Sequence, residues 1–250
     1  KIVLRYILLL VIPPILFFIY FSSKEVKISP NFILIVADDQ GWNGTSVKMM
    51  NKESLSKSDY YETPNLEILA SRGMKFSNAY ASAPVCAPSR YSIQFGKSPA
   101  RLSLIRVGMN SSHINHDEIL SIPKALKNIN KDFATAHFGK WGMDSSPELI
   151  GYDESDGPTK NKDGGFTNDK NQWISTVKKD PKKIFSITNK AVEFIKKNAL
   201  KNTPFFMQLS HFAVHSSFQM RDSTLKKYQS KNKGKYQKNA GLAAMTEDLD

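Results

Sequence analysis

The chain has 250 residues, enough for one substantial hydrophobic core and so for one large domain or most of one. Its composition is 40% hydrophobic and 23% charged, which excludes wholesale disorder. The net charge is +12, but the lysine clusters fall between or along predicted helices without interleaved aromatic residues, so we expect no nucleic-acid groove and only a general preference for anionic substrates.

Residues 1–27 have the pattern of a targeting segment. A basic start precedes an apolar run at residues 6–21, which is shorter than the roughly 20 residues that a membrane-spanning helix needs and contains Pro13 and Pro14. The pattern indicates a signal peptide or an uncleaved membrane anchor. In either case we expect an exported protein that is periplasmic, secreted or membrane-anchored, with its body in residues 28–250.

The next elements alternate between strand and helix. The apolar run within residues 31–38 predicts a strand buried on both faces. Thr63 as N-cap and Pro64 at the first position predict a helix that stops at Gly73, and a strand is expected at residues 74–80. The cysteine segment that follows continues as a helix.

The second half repeats this order. It contains a helix capped by Ser121, a strand at residues 132–139, a loop at residues 151–181, a helix at residues 184–199 and a strand at residues 204–210. This alternation predicts an α/β sandwich with a mainly parallel sheet.

Four polar groups fall at or near the predicted strand ends, where parallel sheets place their ligand crevice. They are the pair Asp38-Asp39, the segment 86–90, the pair Gly139-Lys140, and His211 with His215. Taken singly, each group also has an ordinary structural explanation. The acidic pair could simply end a strand, and the Gly-Lys pair is typical of a turn. Each histidine could be a hydrogen-bonded structural residue.

The acidic pair is also a candidate site for a hard cation, because carboxylate oxygens suit Ca²⁺ or Mg²⁺. Neighbouring side chains on a strand point in opposite directions, so Asp38 and Asp39 can share an ion only if the chain turns there. Gly41 makes such a turn plausible.

Cys86 is the only cysteine of the chain and begins the segment Cys-Ala-Pro-Ser-Arg. Composition alone favours a small buried hydrophobic residue, since a lone cysteine cannot form an internal disulfide. With PNFILIVADDQGW, TPNLEILASRGMKFSNAY, FATAHFGKWG and PFFMQLSHFAVH in the same order, however, residues 30–250 closely resemble the sulfatase family. The resemblance implies a three-layer α/β/α, alkaline-phosphatase-like fold.

The same resemblance implies a role for each site residue. A formylglycine-generating maturation enzyme would oxidise Cys86 to an aldehyde, whose hydrate attacks sulfur with one hydroxyl and expels sulfate with the other. The metal ligands would be Asp38, Asp39 and residue 86, with Ca²⁺ favoured over Mg²⁺. Further ligands and a second domain would follow Asp250, so we expect a C-terminally incomplete catalytic domain.

The remaining implied roles concern the substrate. Arg90, on the same helix face as Cys86, would steady the hydrated aldehyde. Lys140 would bind sulfate, and His215 would protonate the leaving alcohol or contact the sulfate. His211 is a further candidate to face the pocket.

One position departs from the family pattern. Gly142 stands where the family has a histidine that helps to deprotonate the second hydroxyl, and His137 is a poor substitute because it should face the other side of its strand. The favoured interpretation is an exported Ca²⁺-dependent sulfatase that acts on a sulfate ester, with a sulfated carbohydrate as the expected substrate. Two alternatives stay open: a binding protein with an anion pocket but no turnover, and a phosphoesterase of the same superfamily.

We expect three loops to determine substrate specificity, although none of them contains a recognisable sequence motif. They are residues 43–62, 101–118 and 143–181.

Overall fold

The computed structural model describes residues 29–250, of which residues 31–250 form one compact unit. The targeting segment predicted at residues 1–27 lies outside this part, so its role stays a prediction. None of the helices in the described part is both long and apolar enough to cross a membrane.

The described strands form two sheets. In chain order they are β1 (Phe32–Val36), β2 (Ala134–Gly139), β3 (Glu154–Ser155), β4 (Ile174–Thr176), β5 (Phe205–Ser210) and β6 (Phe218–Met220). The central sheet has the order β1-β5-β2-β3, and β4 pairs with β6 in the second sheet. All pairs are parallel, as the alternation of strands and helices predicted.

Helices connect these strands. In chain order they are α1 (Pro64–Arg72), α2 (Cys86–Phe95), α3 (Ile122–Ile129), α4 (Pro147–Ile150), α5 (Ile184–Leu200), α6 (Asp222–Ser230) and α7 (Ala240–Leu249). Short 3-10 turns occur at Ser54–Ser56, Asn161–Gly164, Lys170–Gln172 and Pro181–Lys183.

The two faces of the central sheet carry separate hydrophobic cores. Phe206 on β5 packs in the core that contains Tyr91 and Phe95 of α2, whereas the preceding Phe205 packs in the core that contains Phe194 of α5. Successive side chains of a strand point to opposite faces, so β5 contributes to both cores. Helices therefore cover both faces, which makes the described unit a three-layer α/β/α sandwich.

The strand predicted within residues 31–38 is present as β1, but its predicted burial on both faces is wrong, as is the strand predicted at residues 74–80. The side chains of Phe32, Ile33 and Ile35 are exposed, because β1 lies at the edge of the central sheet with β5 on one side only. Residues 74–80 form no strand, and Met74 and Tyr80 are exposed. Among residues 29–250 no strand pairs with this segment, so its backbone joins no ladder of hydrogen bonds.

Two smaller predictions also need correction. The expected loop at residues 151–181 contains β3 and β4, which pair with strands distant in sequence. Thr63 precedes α1, but its hydroxyl makes no cap bond and instead accepts a hydrogen bond from the backbone N–H of Ser46 at 2.9 Å. Ser121 does cap α3, accepting from the N–H of Lys124 at 3.3 Å.

Candidate functional site

The carboxyl ends of three parallel strands meet in register. Ser210 at the end of β5 lies opposite both Val36 of β1 and Gly139 of β2. Beyond these residues, the backbone N–H of Lys140 donates to the carbonyl of Ser210 at 2.7 Å, and that of His211 donates to the carbonyl of Val36 at 2.9 Å. The polar residues that follow each strand are therefore held at one edge of the sheet.

Gly139 allows this close approach. Its φ is +92°, and a Cβ at this position would lie 2.0 Å from the carbonyl oxygen of Ser210. Any side chain would force β2 and β5 apart at the point where the site begins.

A buried charge cluster joins the strand ends to α2. The carboxylate of Asp38 accepts hydrogen bonds from the ammonium of Lys140 and from Nη2 of Arg90, the latter at 3.4 Å. Nη1 of Arg90 donates to the carbonyl of Lys140. Three residues that the sequence assigned to one site are thus in direct contact, and α2 is fixed against β1 and β2.

Cys86 is the first residue of α2 and carries a free thiol. The preceding Val85 is extended, and the hydroxyl of Ser89 donates to the carbonyl of Ala83 at 2.8 Å, which ties the helix start to the incoming chain. Tyr91 and Phe95 anchor the buried face of the helix. The thiol is consequently held at a rigid helix start, and it is half-buried.

Cys86 and Lys140 line the same pocket, whose volume is about 860 Å³. Its outer walls come from residues 107–110 and 160–163, which lie in two of the loops predicted to set specificity. Asp144, a lining residue that sequence analysis did not single out, accepts from the N–H of Ser111 at 2.8 Å and thereby holds one wall.

His215 lies beside this pocket. Its Nε2 is 3.7 Å from Oδ2 of Asp39, and its Nδ1 is 2.5 Å from the carbonyl oxygen of Ser216. The ring packs edge-on against Phe166, which lines the pocket. His215 is therefore next to the pocket through its contact with Phe166, although it is not itself one of the lining residues.

The other two candidate histidines are buried weak bases. Burial lowers the pKa of His211 to about 4, and its Nδ1 has no hydrogen-bond partner among residues 29–250. Burial, together with the positive charge of Arg90, lowers the pKa of His137 to about 3. The ring of His137 packs against Trp141 and Tyr152. Because it is buried there, His137 is a poor replacement for the histidine that the family has at position 142.

Position 142 leaves little room for the expected histidine. Gly142 has φ +72°, and a Cβ there would lie 3.0 Å from Cδ of Arg90 and 3.6 Å from Cε of Lys140. The backbone N–H of Gly142 donates to the carbonyl of Thr159 at 2.9 Å, which holds this conformation. A side chain would be strained and would displace Arg90.

We expect Gly142→Ala to lower both the stability of the protein and its affinity for sulfate, the ligand that the family resemblance predicts. The positive φ costs roughly 1–2 kcal/mol for a residue with a Cβ, and the methyl group also pushes Arg90 away from Asp38. Gly157→Ala is the matched control, because Gly157 has φ +77° but an added Cβ would meet nothing within 4 Å. Thermal unfolding with and without sulfate measures both effects, and equal loss of sulfate affinity in the two variants would contradict the role of position 142.

The two acidic residues predicted to bind calcium differ in their surroundings. Asp39 has φ +61°, its side chain is 58% exposed and it lies near His215, whereas that of Asp38 is 7% exposed and pairs with Lys140. Residues 29–250 contain no group of three or more His, Cys, Asp or Glu side chains that could hold a metal. Ca²⁺ prefers about six to eight oxygen ligands, so these residues do not complete a site for it.

Lys182 is a buried residue of the site region that sequence analysis missed. It is 2% exposed, and its pKa is lowered to about 8 by burial and by the charge of Lys140, against the opposing effect of Asp38. In the sequence it is one lysine of the cluster at residues 178–183, and nothing in that pattern separates it from its exposed neighbours.

Comparison with known proteins identifies the family. The sulfatase family model matches residues 30–247. An N-acetylglucosamine-6-O-sulfatase of Bacteroides thetaiotaomicron is 30% identical over 203 residues, which cover 78% of this chain and 32% of that protein. An N-acetylgalactosamine-6-sulfatase of Sus scrofa is 26% identical over 220 residues, which cover 75% of this chain and 40% of that protein.

The fold agrees with this match. A crystal structure described as Ps i-CgsB aligns with a TM-score of 0.66 at 25% identity, covering 88% of this chain and 52% of that one. The chain thus spans about half of that structure and less than half of the two curated relatives, and its α/β fold is the predicted alkaline-phosphatase-like one. Because the family model extends over nearly all described residues and includes every predicted site residue, the chain belongs to the sulfatase family.

Proposed function

We propose that the protein is a sulfuric ester hydrolase that cleaves a sulfate monoester with a formylglycine made from Cys86. The observation that carries this proposal is the position of Cys86 at the start of α2, where its C-x-P-S-R segment opens the helix and the residue lines one pocket with Lys140. The thiol is the only one in the chain and is free, as a residue reserved for modification by a maturation enzyme would be.

The hydrated aldehyde would supply one hydroxyl for attack on sulfur and a second whose deprotonation allows sulfate to leave. Lys140 lines the pocket, and its ammonium is paired with the buried carboxylate of Asp38. A compact positive charge of this kind would suit the oxygens of a sulfate group. Arg90 pairs with Asp38 and so holds α2, with residue 86 at its start, against the strand ends. His215 would give a proton to the leaving alcohol, its ring oriented by Asp39 and Phe166.

A sulfated carbohydrate is the proposed substrate. Relatives named as N-acetylglucosamine and N-acetylgalactosamine sulfatases favour this class. The pocket is large enough for a ligand bigger than sulfate, and its outer wall carries Lys160, Asn161 and Lys162, which can contact polar and anionic groups of a saccharide.

Calcium binding at Asp38, Asp39 and residue 86 stays a prediction, and the chemistry proposed for the protein side chains does not depend on a metal. The proposed location is outside the cytoplasm, with residues 6–21 as a signal or an anchor in the membrane.

A catalytically impaired, anion-binding sulfatase relative is the second candidate function. One observation favours it: Gly142 supplies no base, and the nearby His137 is a buried weak base. The intact C-x-P-S-R segment favours the enzyme instead, because a binding protein gains nothing from a modification signal.

The test uses the complete gene product, expressed with a formylglycine-generating enzyme. Peptide mass spectrometry across residue 86 is expected to show the aldehyde, and an aryl sulfate or a sulfated saccharide is expected to be hydrolysed in preference to the matching phosphate ester. An unmodified thiol in the native host would contradict the proposal. Aldehyde formation with sulfate binding but no turnover would favour the binding protein. Faster hydrolysis of the phosphate ester than of the sulfate ester would favour a phosphoesterase.

A further inference from the structure

Asp144 joins the pocket wall at residues 107–110 to the helix that begins with Cys86. Its Oδ2 accepts from the backbone N–H of Ser111 at 2.8 Å, and its Oδ1 accepts from the hydroxyls of Ser111 and Tyr91. The backbone N–H of Asp144 donates to the hydroxyl of Tyr91 at 3.2 Å. Both partners are buried, Ser111 at 3% and Tyr91 at 2% exposure. Asp144 thus contacts the start of the wall and α2 at the same time.

The position of this wall depends on these bonds. Residues 105–112 form no helix or strand, and apart from Met109 and Ser111 they are exposed. Within residues 29–250, the two hydrogen bonds that they make to positions outside residues 101–118 both go to Asp144. Met109 only packs at the margin of a hydrophobic core. Packing therefore contributes little to this stretch, and Asp144 supplies its polar attachment.

A carboxylate is an unexpected lining group in a pocket for a sulfate ester. Asp144 lines the cavity together with Cys86 and Lys140, and its charge would repel an anionic ligand. A carboxylate can only accept hydrogen bonds, and three donors from Ser111 and Tyr91 converge on its two oxygens. Bonds of this kind, to a charged acceptor, are stronger than neutral ones. The need to hold the wall accounts for an aspartate here without any contact between its charge and the sulfate group.

We propose that Asp144 is a positioning residue for substrate selection, which holds residues 107–110 where they contact the sugar of a sulfated saccharide. The sulfate group would lie near residue 86 and Lys140, and the sugar would lie against the wall. A wall that is already fixed loses less conformational entropy when the saccharide binds. Loss of the bonds should therefore weaken saccharide binding and leave the binding of inorganic sulfate unchanged. The inference rests on the proposed function, which supplies the saccharide as substrate.

Asp144→Ala tests this inference, with Glu148→Ala as the matched control. Glu148 is also an exposed carboxylate that accepts from a serine hydroxyl, that of Ser155 at 2.6 Å, but it lies outside the residues that line the pocket. The complete protein is expressed with a maturation enzyme. The probes are oligosaccharides that carry N-acetylglucosamine 6-sulfate or N-acetylgalactosamine 6-sulfate, after the relatives' names.

The expected result is a change in KM alone. Asp144→Ala should raise KM for the saccharide at least about tenfold, the effect of losing one hydrogen bond to a charged group, while kcat stays within about threefold of wild type. Glu148→Ala should keep both values within about twofold, because its carboxylate is exposed and remote from the pocket lining. An unchanged KM in Asp144→Ala would overturn the proposal.

Asp144→Asn separates positioning from catalysis. Its carbonyl oxygen can still accept from the N–H of Ser111, and the hydroxyls of Ser111 and Tyr91 can turn to accept from its amide group. We expect a saccharide KM at or below that of wild type, because the bonds are kept and the repelling charge is removed. A kcat lowered more than about a hundredfold would indicate a catalytic acid or base and overturn the proposal. A KM as high as that of Asp144→Ala would overturn it too.

Inorganic sulfate provides the readout that distinguishes positioning from general damage. Its dissociation constant, obtained from the rise in thermal midpoint, should stay within about twofold of wild type in Asp144→Ala. Equal weakening of sulfate and saccharide binding would overturn the proposal. If Asp144→Ala does not fold, Ser111→Ala is measured in the same way. It removes one of the bonds to the wall and should raise the saccharide KM about threefold, and an unchanged KM there would overturn the proposal.

Failure of this inference differs from failure of the proposed function. Saccharide binding without hydrolysis, with a dissociation constant that depends on Asp144, would contradict the enzyme and leave the positioning role. Hydrolysis of a sulfated saccharide with a KM that does not depend on Asp144 would contradict the positioning role alone. So would hydrolysis of an aryl sulfate by a protein that binds neither saccharide. Absence of both binding and hydrolysis would contradict both proposals.

Discussion

Cys86→Ala is expected to lower kcat/KM for a sulfate ester by at least about a thousandfold while the protein stays folded. The residue begins α2 and lines the pocket, so the substitution removes the group that we propose becomes the nucleophile. The thiol is half-buried and belongs to none of the hydrophobic cores, so the loss of stability should be small. Initial rates and thermal unfolding measure the two effects.

Cys86→Ser is the informative companion variant. A serine hydroxyl can attack sulfur, but it lacks the second hydroxyl through which sulfate leaves. We expect stoichiometric retention of label from a sulfate ester labelled at sulfur, without sustained turnover. Multiple turnovers by the alanine variant would show that residue 86 is not the nucleophile.

Asp38→Asn is expected to destabilise the protein by about 3–5 kcal/mol and to abolish activity. The substitution leaves Lys140 and Arg90 buried beside a neutral amide, so two charges lose their partner. The side chain of Asp39 is more than half exposed, so Asp39→Asn is expected to change stability by less than about 1 kcal/mol. Denaturant unfolding of the two variants provides the comparison.

A double variant separates the two effects of Asp38. Adding Lys140→Met to Asp38→Asn removes one uncompensated cation, so part of the lost stability should return. Sulfate affinity should not return, because Lys140 is proposed to bind that group. Equal destabilisation by Asp38→Asn and Asp39→Asn would show that the buried ion pairs of Asp38 do not contribute the expected stability.

Local patterns predicted the parts of the fold that depend on short stretches of chain. The helix predicted at residues 184–199 is present as α5, and the strand predicted at residues 132–139 contains β2. Ile187, Ala191 and Phe194 lie on the buried face of that helix. The same reasoning failed for the burial of β1 and for the strand expected at residues 74–80, because exposure and pairing depend on which strands lie next to a segment.

For the candidate site too, local features were predictable from the sequence and long-range contacts were not. The sequence by itself determined the family, the placement of Cys86 and Arg90 on one helix, and the polar residues after β1, β2 and β5, because motifs and strand ends are local features. Only the tertiary structure decided that Asp38 is shared by Lys140 and Arg90, and that Lys182 is buried among its exposed neighbours. Burial and charge pairing depend on contacts between residues far apart in the chain, and a local sequence pattern does not predict such contacts.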